Sequence, residues 1–199
     1  MRNTEQTGKV EVICGCMFAG KTEELIRRLR RAEIAEQSIT VFSPEVDDRY
    51  NRETIGSHNG KNWNANVICA DESGVEKVKK ATDEDVVAID EFNFFTEEFI
   101  DAINYLANNN VRVIVSGLDQ TFRAEPFNPL PNSLAIADTV DKLTAICEVC
   151  GGEATKTQRL VNGDPADESS PTVLVGGDDS YEARCRECFV APHTITRSK

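Results

Sequence analysis

No run of the chain stays apolar over the ~20 residues a helix needs to cross a bilayer. The polar opening Met1 to Lys9 also has no hydrophobic core of the kind a signal peptide carries. A cytoplasmic location is expected. Positive charge is scarce, with 22 Lys and Arg against 34 Asp and Glu, a formal net charge of −12. Such a molecule repels phosphate backbones as a whole, so general nucleic-acid binding would demand a local basic patch. The acidity also suits solubility in high salt, but it names no partner. There is no internal repeat and no low-complexity segment. A disulfide framework is a poor fit, because seven cysteines are an odd number and a cytosolic chain keeps its thiols reduced.

What is present is ordinary in bulk: 40% hydrophobic and 28% charged residues, the composition of a globular protein. At 199 residues there is room for one substantial core and a small appendage. Val10 to Cys14 reads as a strand, Gly15 to Gly20 as a loop of small residues, and Lys21 to Gln37 as a helix with Leu25, Ile26, Leu29 and Ala32 on one face. Further strands are predicted at Ile39 to Phe42, Val67 to Ala70, Val86 to Ile89 and Val111 to Val115, with a second helix over Thr96 to Asn109. The strands are continuously apolar rather than alternating, which points to a parallel sheet covered on both faces. The fold class is therefore α/β, a parallel sheet flanked by helices with function beyond the carboxyl ends of its strands. After residue 140 the texture changes to short β-like pieces, two cysteine pairs and a polar stretch from Val161 to Pro171 that reads as a loop. We divide the chain into a nucleotide-binding domain at 1–140, a small C-terminal unit at 141–191 and a tail at 192–199.

Gly15, Cys16, Met17, Phe18, Ala19, Gly20, Lys21 and Thr22 spell G-x-x-x-x-G-K-[ST] between a predicted strand and a predicted helix. The two glycines let the backbone curl so that its N–H groups face a β-phosphate; Lys21 bridges β- and γ-oxygens, and Thr22 suits Mg²⁺. Asp90 and Glu91 follow an apolar strand and so fall near this P-loop. Asp90 suits Mg²⁺ through a water, which leaves Glu91 free to accept a proton from a nucleophile. A guanine-reading Asn-Lys-x-Asp string is absent, which disfavours a GTPase switch.

Cys147 and Cys150 form one C-x-x-C pair, Cys185 and Cys188 another. Two such knuckles bring four thiolates to a tetrahedral Zn²⁺, a closed set that makes the metal structural. Cys14, Cys16 and Cys69 read as small packing residues.

The phosphate loop with its Met17-Phe18, then Asp90-Glu91 with Phe94-Phe95, then Gly117-Leu118-Asp119, Phe122-Arg123 and Pro126-Phe127 keep a set order. Together with Tyr181 and the cysteines, they closely resemble the thymidine kinases of the human cytosolic and common bacterial type, from about Val10 to Phe189. The resemblance implies ATP as phosphate donor, thymidine as acceptor (deoxyuridine a further one), and a place in nucleotide salvage. It casts Glu91 as catalytic base and Arg49 as a clamp on the transferring phosphate. The nucleoside pocket maps onto Met17, Phe94, Leu118, Phe122, Thr157 and Tyr181, with backbone from Val173 to Gly177, Gly176 included, at the base edge. The stretch 161–171 corresponds to a lasso-like loop folding over the nucleoside. Feedback inhibition by thymidine triphosphate and a homotetramer also follow from it. Two positions depart from the family: Asn93 stands where glutamine is usual, and Cys16 where proline is common.

His58 sits in a polar loop and is read as a surface hydrogen-bonder. The basic run Arg27, Arg28, Arg30 and Arg31 is read as a solvated helix face. An ATPase acting on nucleic acid shares the phosphate loop and the acidic pair. Against it stand the acidity of the chain and the lack of interleaved basic and aromatic residues near the cysteine pairs.

Overall fold

The computed structural model describes residues 8–45, 54–56, 62–173 and 180–192. In chain order its elements are β1 (Lys9–Gly15), α1 (Lys21–Ile34), β2 (Ile39–Pro44), β3 (Thr54–Gly56), β4 (Asn62–Asn64) and β5 (Asn66–Ile68). There follow α2 (Glu72–Lys79), β6 (Val86–Ile89), α3 (Glu98–Asn108), β7 (Arg112–Gly117), α4 (Leu130–Ile136) and β8 (Thr139–Leu143). The small strands β9 (Ala145–Ile146), β10 (Glu153–Ala154), β11 (Lys156–Val161), β12 (Asp164–Pro165) and β13 (Ser180–Arg184) complete the order.

The central sheet has the order β5-β2-β6-β7-β1-β8, and every neighbouring pair in it runs parallel. Its inner strands β1, β6 and β7 are largely apolar on both faces because both are covered. On one side Val10, Val12, Val87, Ile89, Val113 and Val115 pack with Phe99, Ile103 and Leu106 of α3. On the other, Ile13, Ala88 and Ile114 pack with Leu25, Ile26 and Leu29 of α1. Each such side chain, wholly removed from water, contributes roughly 1.5–3 kcal/mol. Among the described residues, no helix is long and apolar enough to cross a membrane.

The predicted elements fall where expected, with shifted ends. Helix α1 stops at Ile34, and the chain turns through Glu36 at a φ of 56°. Helix α3 begins at Glu98, whose carboxylate is held by Thr96 from the preceding turn. The strand expected at Val67 to Ala70 is the shorter β5. Helices α2 and α4 carry no strong periodic signal. The first is short and depends on its cap, where the Asp71 side chain accepts from the Ser73 and Gly74 N–H groups.

The reading of the arginine run as a solvated face needs correction at Arg28. Arg27, Arg30 and Arg31 are exposed, but Arg28 is 8% exposed and donates to Glu11 at 2.6 Å and Glu24 at 2.8 Å, with Asp141 as a third partner. Glu11 in turn accepts from Arg112 at 2.7 Å and from Lys9 at 2.7 Å. The polar residue in the middle of β1 is thus stitched to β7, α1 and β8. Burial alone would push the Glu11 carboxyl up; the Arg112 and Lys9 partners overcome it and hold it at about 2.

Candidate active site

The carboxyl ends of β1, β6 and β7 open on a cleft of about 550 Å³. The phosphate loop occupies one end, because β1 must turn sharply into α1. Gly15 makes the turn with φ of 142°, where an added Cβ would lie 2.3 Å from the Leu143 carbonyl oxygen, so only glycine fits. Gly20, at φ of 80°, is the residue from which α1 starts. The loop therefore lies at a helix N-terminus, where free N–H groups and the helix dipole favour anions. Lys21 is 9% exposed and its Nζ donates to the Cys16 carbonyl at 2.9 Å, which holds the ammonium over the loop.

Asp90 and Glu91 stand where β6 ends. Asp90 is 5% exposed, and its Oδ2 lies 3.4 Å from the Thr22 hydroxyl, so two hard oxygen donors face each other beside the loop. Burial raises the Asp90 pKa against the pull of the Ser116 and Thr22 hydroxyls and Lys21. Glu91 leaves the strand at a φ of 51°, a left-handed conformation that costs a non-glycine residue about 1 kcal/mol or more. That turn points its side chain into the cleft, which it lines. Part of the residue opens on the cleft while protein atoms crowd its other sides. This desolvation, with the Asp90 charge beside it, lifts the Glu91 pKa to about 7 against Lys21 and the Asn93 amide.

Met17, Phe18, Gly20, Lys21, Thr22, Glu91, Phe94, Leu118, Phe122, Thr157, Val173 and Tyr181 all line this one cleft. Gly15, Cys16, Ala19 and Asp90 do not line it. Arg49, Gly176 and His58 lie outside the described residues. Gln120, Thr121, Phe127 and Thr172 also line the cleft and were not assigned to it. Phe127 meets Phe94 edge to face at 6.0 Å, an aromatic pairing suited to a flat base. Its signal was present in the Pro126-Phe127 motif, whereas nothing local marks Gln120 or Thr172.

Asn93, one of the two departures, is 3% exposed, and its Oδ1 accepts from the Leu118 N–H at 2.7 Å. Cys16, the other, turns its thiol away from the cleft toward the Ala154 carbonyl at 3.4 Å. Burial raises the thiol pKa of both Cys14, to about 11, and Cys16, so both are packing residues as expected. Cys69 is different: half-buried, it donates to Glu45 at 3.0 Å.

The four sulfurs of Cys147, Cys150, Cys185 and Cys188 lie within 4.8 Å of one another, and Cys150 and Cys185 are 3.7 Å apart. Sulfurs around a tetrahedral zinc with Zn–S bonds of ~2.3 Å stand about 3.8 Å apart, so the set fits that ion. Backbone N–H groups, first that of Cys185, draw the Cys147 thiol down to about 6, toward the thiolate a metal requires.

Moving a phosphoryl group takes a cradle for the donor's phosphates and a proton acceptor facing an enclosed second substrate. Glu91, set between the phosphate loop and an aromatic-walled pocket, gives the cleft the layout of a P-loop kinase with a small acceptor. The family model for thymidine kinase matches residues 8–189. A thymidine kinase from each of two Halobacterium salinarum strains is 53% identical over 191 residues, covering 96% of this chain and 98% of its own. A thymidine kinase from Haloquadratum walsbyi is 46% identical over 224 residues, covering 97% of this chain and all of its own. The chain belongs to the thymidine kinase family.

Proposed function

We propose that the chain transfers the γ-phosphate of ATP to the 5′-hydroxyl of thymidine, with Glu91 as general base. The observation that carries this reading is the position of Glu91 in the cleft, with its pKa raised to about 7. A carboxylate of that basicity accepts a proton near neutral pH far better than an ordinary glutamate. The N–H groups of the loop from Gly15 to Thr22, with Lys21, hold the β- and γ-phosphates. Magnesium, when bound, neutralises phosphate charge, and Thr22 and Asp90 offer it oxygen donors. Arg49 steadies the transferring group. Met17, Phe94, Leu118, Phe122, Thr157, Val173, Gly176 and Tyr181 enclose the nucleoside.

We also carry over a zinc-bearing unit beginning near residue 141, a homotetramer and inhibition by thymidine triphosphate. Such an inhibitor, with its base in the nucleoside pocket, competes with thymidine. The deciding experiment follows ATP-dependent phosphorylation of thymidine, deoxyuridine and deoxycytidine. Thymidine is expected to be best, deoxyuridine poorer and deoxycytidine nearly inert, since a lost methyl contact costs ~1–3 kcal/mol and an unpaired polar edge costs more. Equal kcat/KM for thymidine and deoxycytidine would overturn the assignment.

A further inference from the structure

Phe122 forms part of the cleft wall and is 4% exposed. Two guanidinium groups lie within cation–π range of its ring, with the Arg123 Cζ 4.4 Å and the Arg159 Cζ 5.4 Å from the centroid. Both arginines also grip the segment 166–173. Arg123 Nε donates to the Glu168 carbonyl at 3.1 Å and Nη1 to the Thr172 hydroxyl at 2.8 Å. Its Nη2 donates to the Glu168 carbonyl at 2.9 Å and to the Ser170 carbonyl. Arg159, only 2% exposed, donates to the Pro171 carbonyl at 2.7 Å.

The gripped segment is pre-shaped. The Asp167 carboxylate accepts from the Ser169 N–H at 2.9 Å and its hydroxyl at 2.7 Å, and the Ser170 N–H donates to the Asp167 carbonyl at 3.0 Å. Thr172 and Val173, at its far end, line the cleft. One end of the cleft wall is thus a loop, and the loop is fastened through two arginines to an aromatic ring of the same wall.

We propose that Arg123 and Arg159 form a two-point latch that fastens residues 166–173 over the nucleoside end of the cleft. In this arrangement Arg123 is a positioning residue that sets how tightly the nucleoside is retained. The inference rests on the nucleoside-kinase reading above. A forked, planar guanidinium suits the task, because it lies over a ring while sending N–H groups to several acceptors; a lysine ammonium is a point charge and does not reproduce that pattern. Most of the acceptors are main-chain carbonyls, so the latch reads the conformation of the segment more than its side chains.

Arg123 is half-exposed, so its replacement spares the core, and the test uses the full-length Arg123→Ala and Arg123→Lys proteins. Hydrogen exchange would be followed over 166–173 and over β1 and β7, with and without thymidine, alongside steady-state kinetics. In Arg123→Ala, exchange over 166–173 is expected to rise about tenfold while β1 and β7 keep their protection. Nucleoside KM is expected to rise about tenfold, kcat to fall less than about threefold, and ATP KM to stay within about twofold, with Arg123→Lys between. Unchanged exchange over 166–173, or an unchanged nucleoside KM, overturns the latch. Wild-type protein that phosphorylates no nucleoside defeats the functional reading instead, and the exchange comparison made without substrate still judges the latch.

Discussion

The Met17 N–H donates to the Thr157 hydroxyl at 3.0 Å, binding the phosphate loop to a strand 140 residues further along the chain. One residue earlier, Cys16 packs among Ala145, Cys147, Ala154 and Ala183 in the small core of the four-cysteine unit. The phosphate loop and the metal-binding knuckles therefore share a wall, and disturbance of either reaches the other.

Freshly purified protein should contain one zinc per chain, because metal binding by such a unit is folding free energy. After chelation, exchange protection is expected to fall first around Cys147 to Phe189. It should fall next in the phosphate loop, with weakened ATP binding, while β2 and β6 hold. Chelation that loosens the knuckles without any loss of ATP affinity would show that the shared wall transmits nothing.

If Glu91 is the base proposed above, its raised pKa makes activity depend on pH: a base works ionised, so kcat should climb as pH rises through about 7 and then level off. The stability effect runs the other way. The folded value, about 7, lies above the ordinary 4.5, so the fold prefers the protonated form. That contribution is complete below 4.5 and is lost as pH rises toward 7. Glu91→Gln should slow single-turnover phosphorylation by about 10²- to 10³-fold with both substrates still bound, and remove the pH step near neutrality. Transfer at a near wild-type rate would mean the proton goes elsewhere.

Glu11 responds to acid with the opposite sign. Its folded value of about 2 lies below the ordinary 4.5, so its contribution is present above 4.5 and is lost as pH falls toward 2. Allowing for solvent screening, we expect Glu11→Gln to cost roughly 2 kcal/mol at pH 7, and less at pH 3, where the wild type has lost part of the same contribution. Urea midpoints at the two pH values measure this. An identical deficit at both would show that the charge network is not the cause.

Asn93→Ala removes the acceptor for the Leu118 N–H at a half-buried point of the cleft wall. An orphaned donor there costs about 1–3 kcal/mol, and the wall it supports belongs to the pocket. Thermal unfolding should show the loss, and thymidine kcat/KM should fall with it. A stable variant with full kcat/KM would make Asn93 dispensable.

The parts of the site that could be read from the chain are those whose chemistry is local. Gly15 to Thr22 must curl because two glycines bracket small residues between a strand and a helix. Asp90 and Glu91 must emerge together because four apolar residues precede them. Each cysteine pair is spaced to seat two thiolates on one ion. Backbone geometry and neighbouring residues suffice for all of these.

Tertiary structure decided what depends on partners distant in the chain. Arg28 looks like one more surface arginine until Glu11 and Asp141 close around it across 17 and 113 residues. Cys16 reads from the chain as a small packing residue, but which core it joins is set by Ala154, 138 residues away. Arg123 and Arg159 reveal their common ring and loop only once β11 is laid beside the cleft. Local sequence sets backbone conformation and which residues avoid water. Which buried charge meets which, and which way a side chain turns from a shared wall, follows from the packing of segments that no local pattern relates.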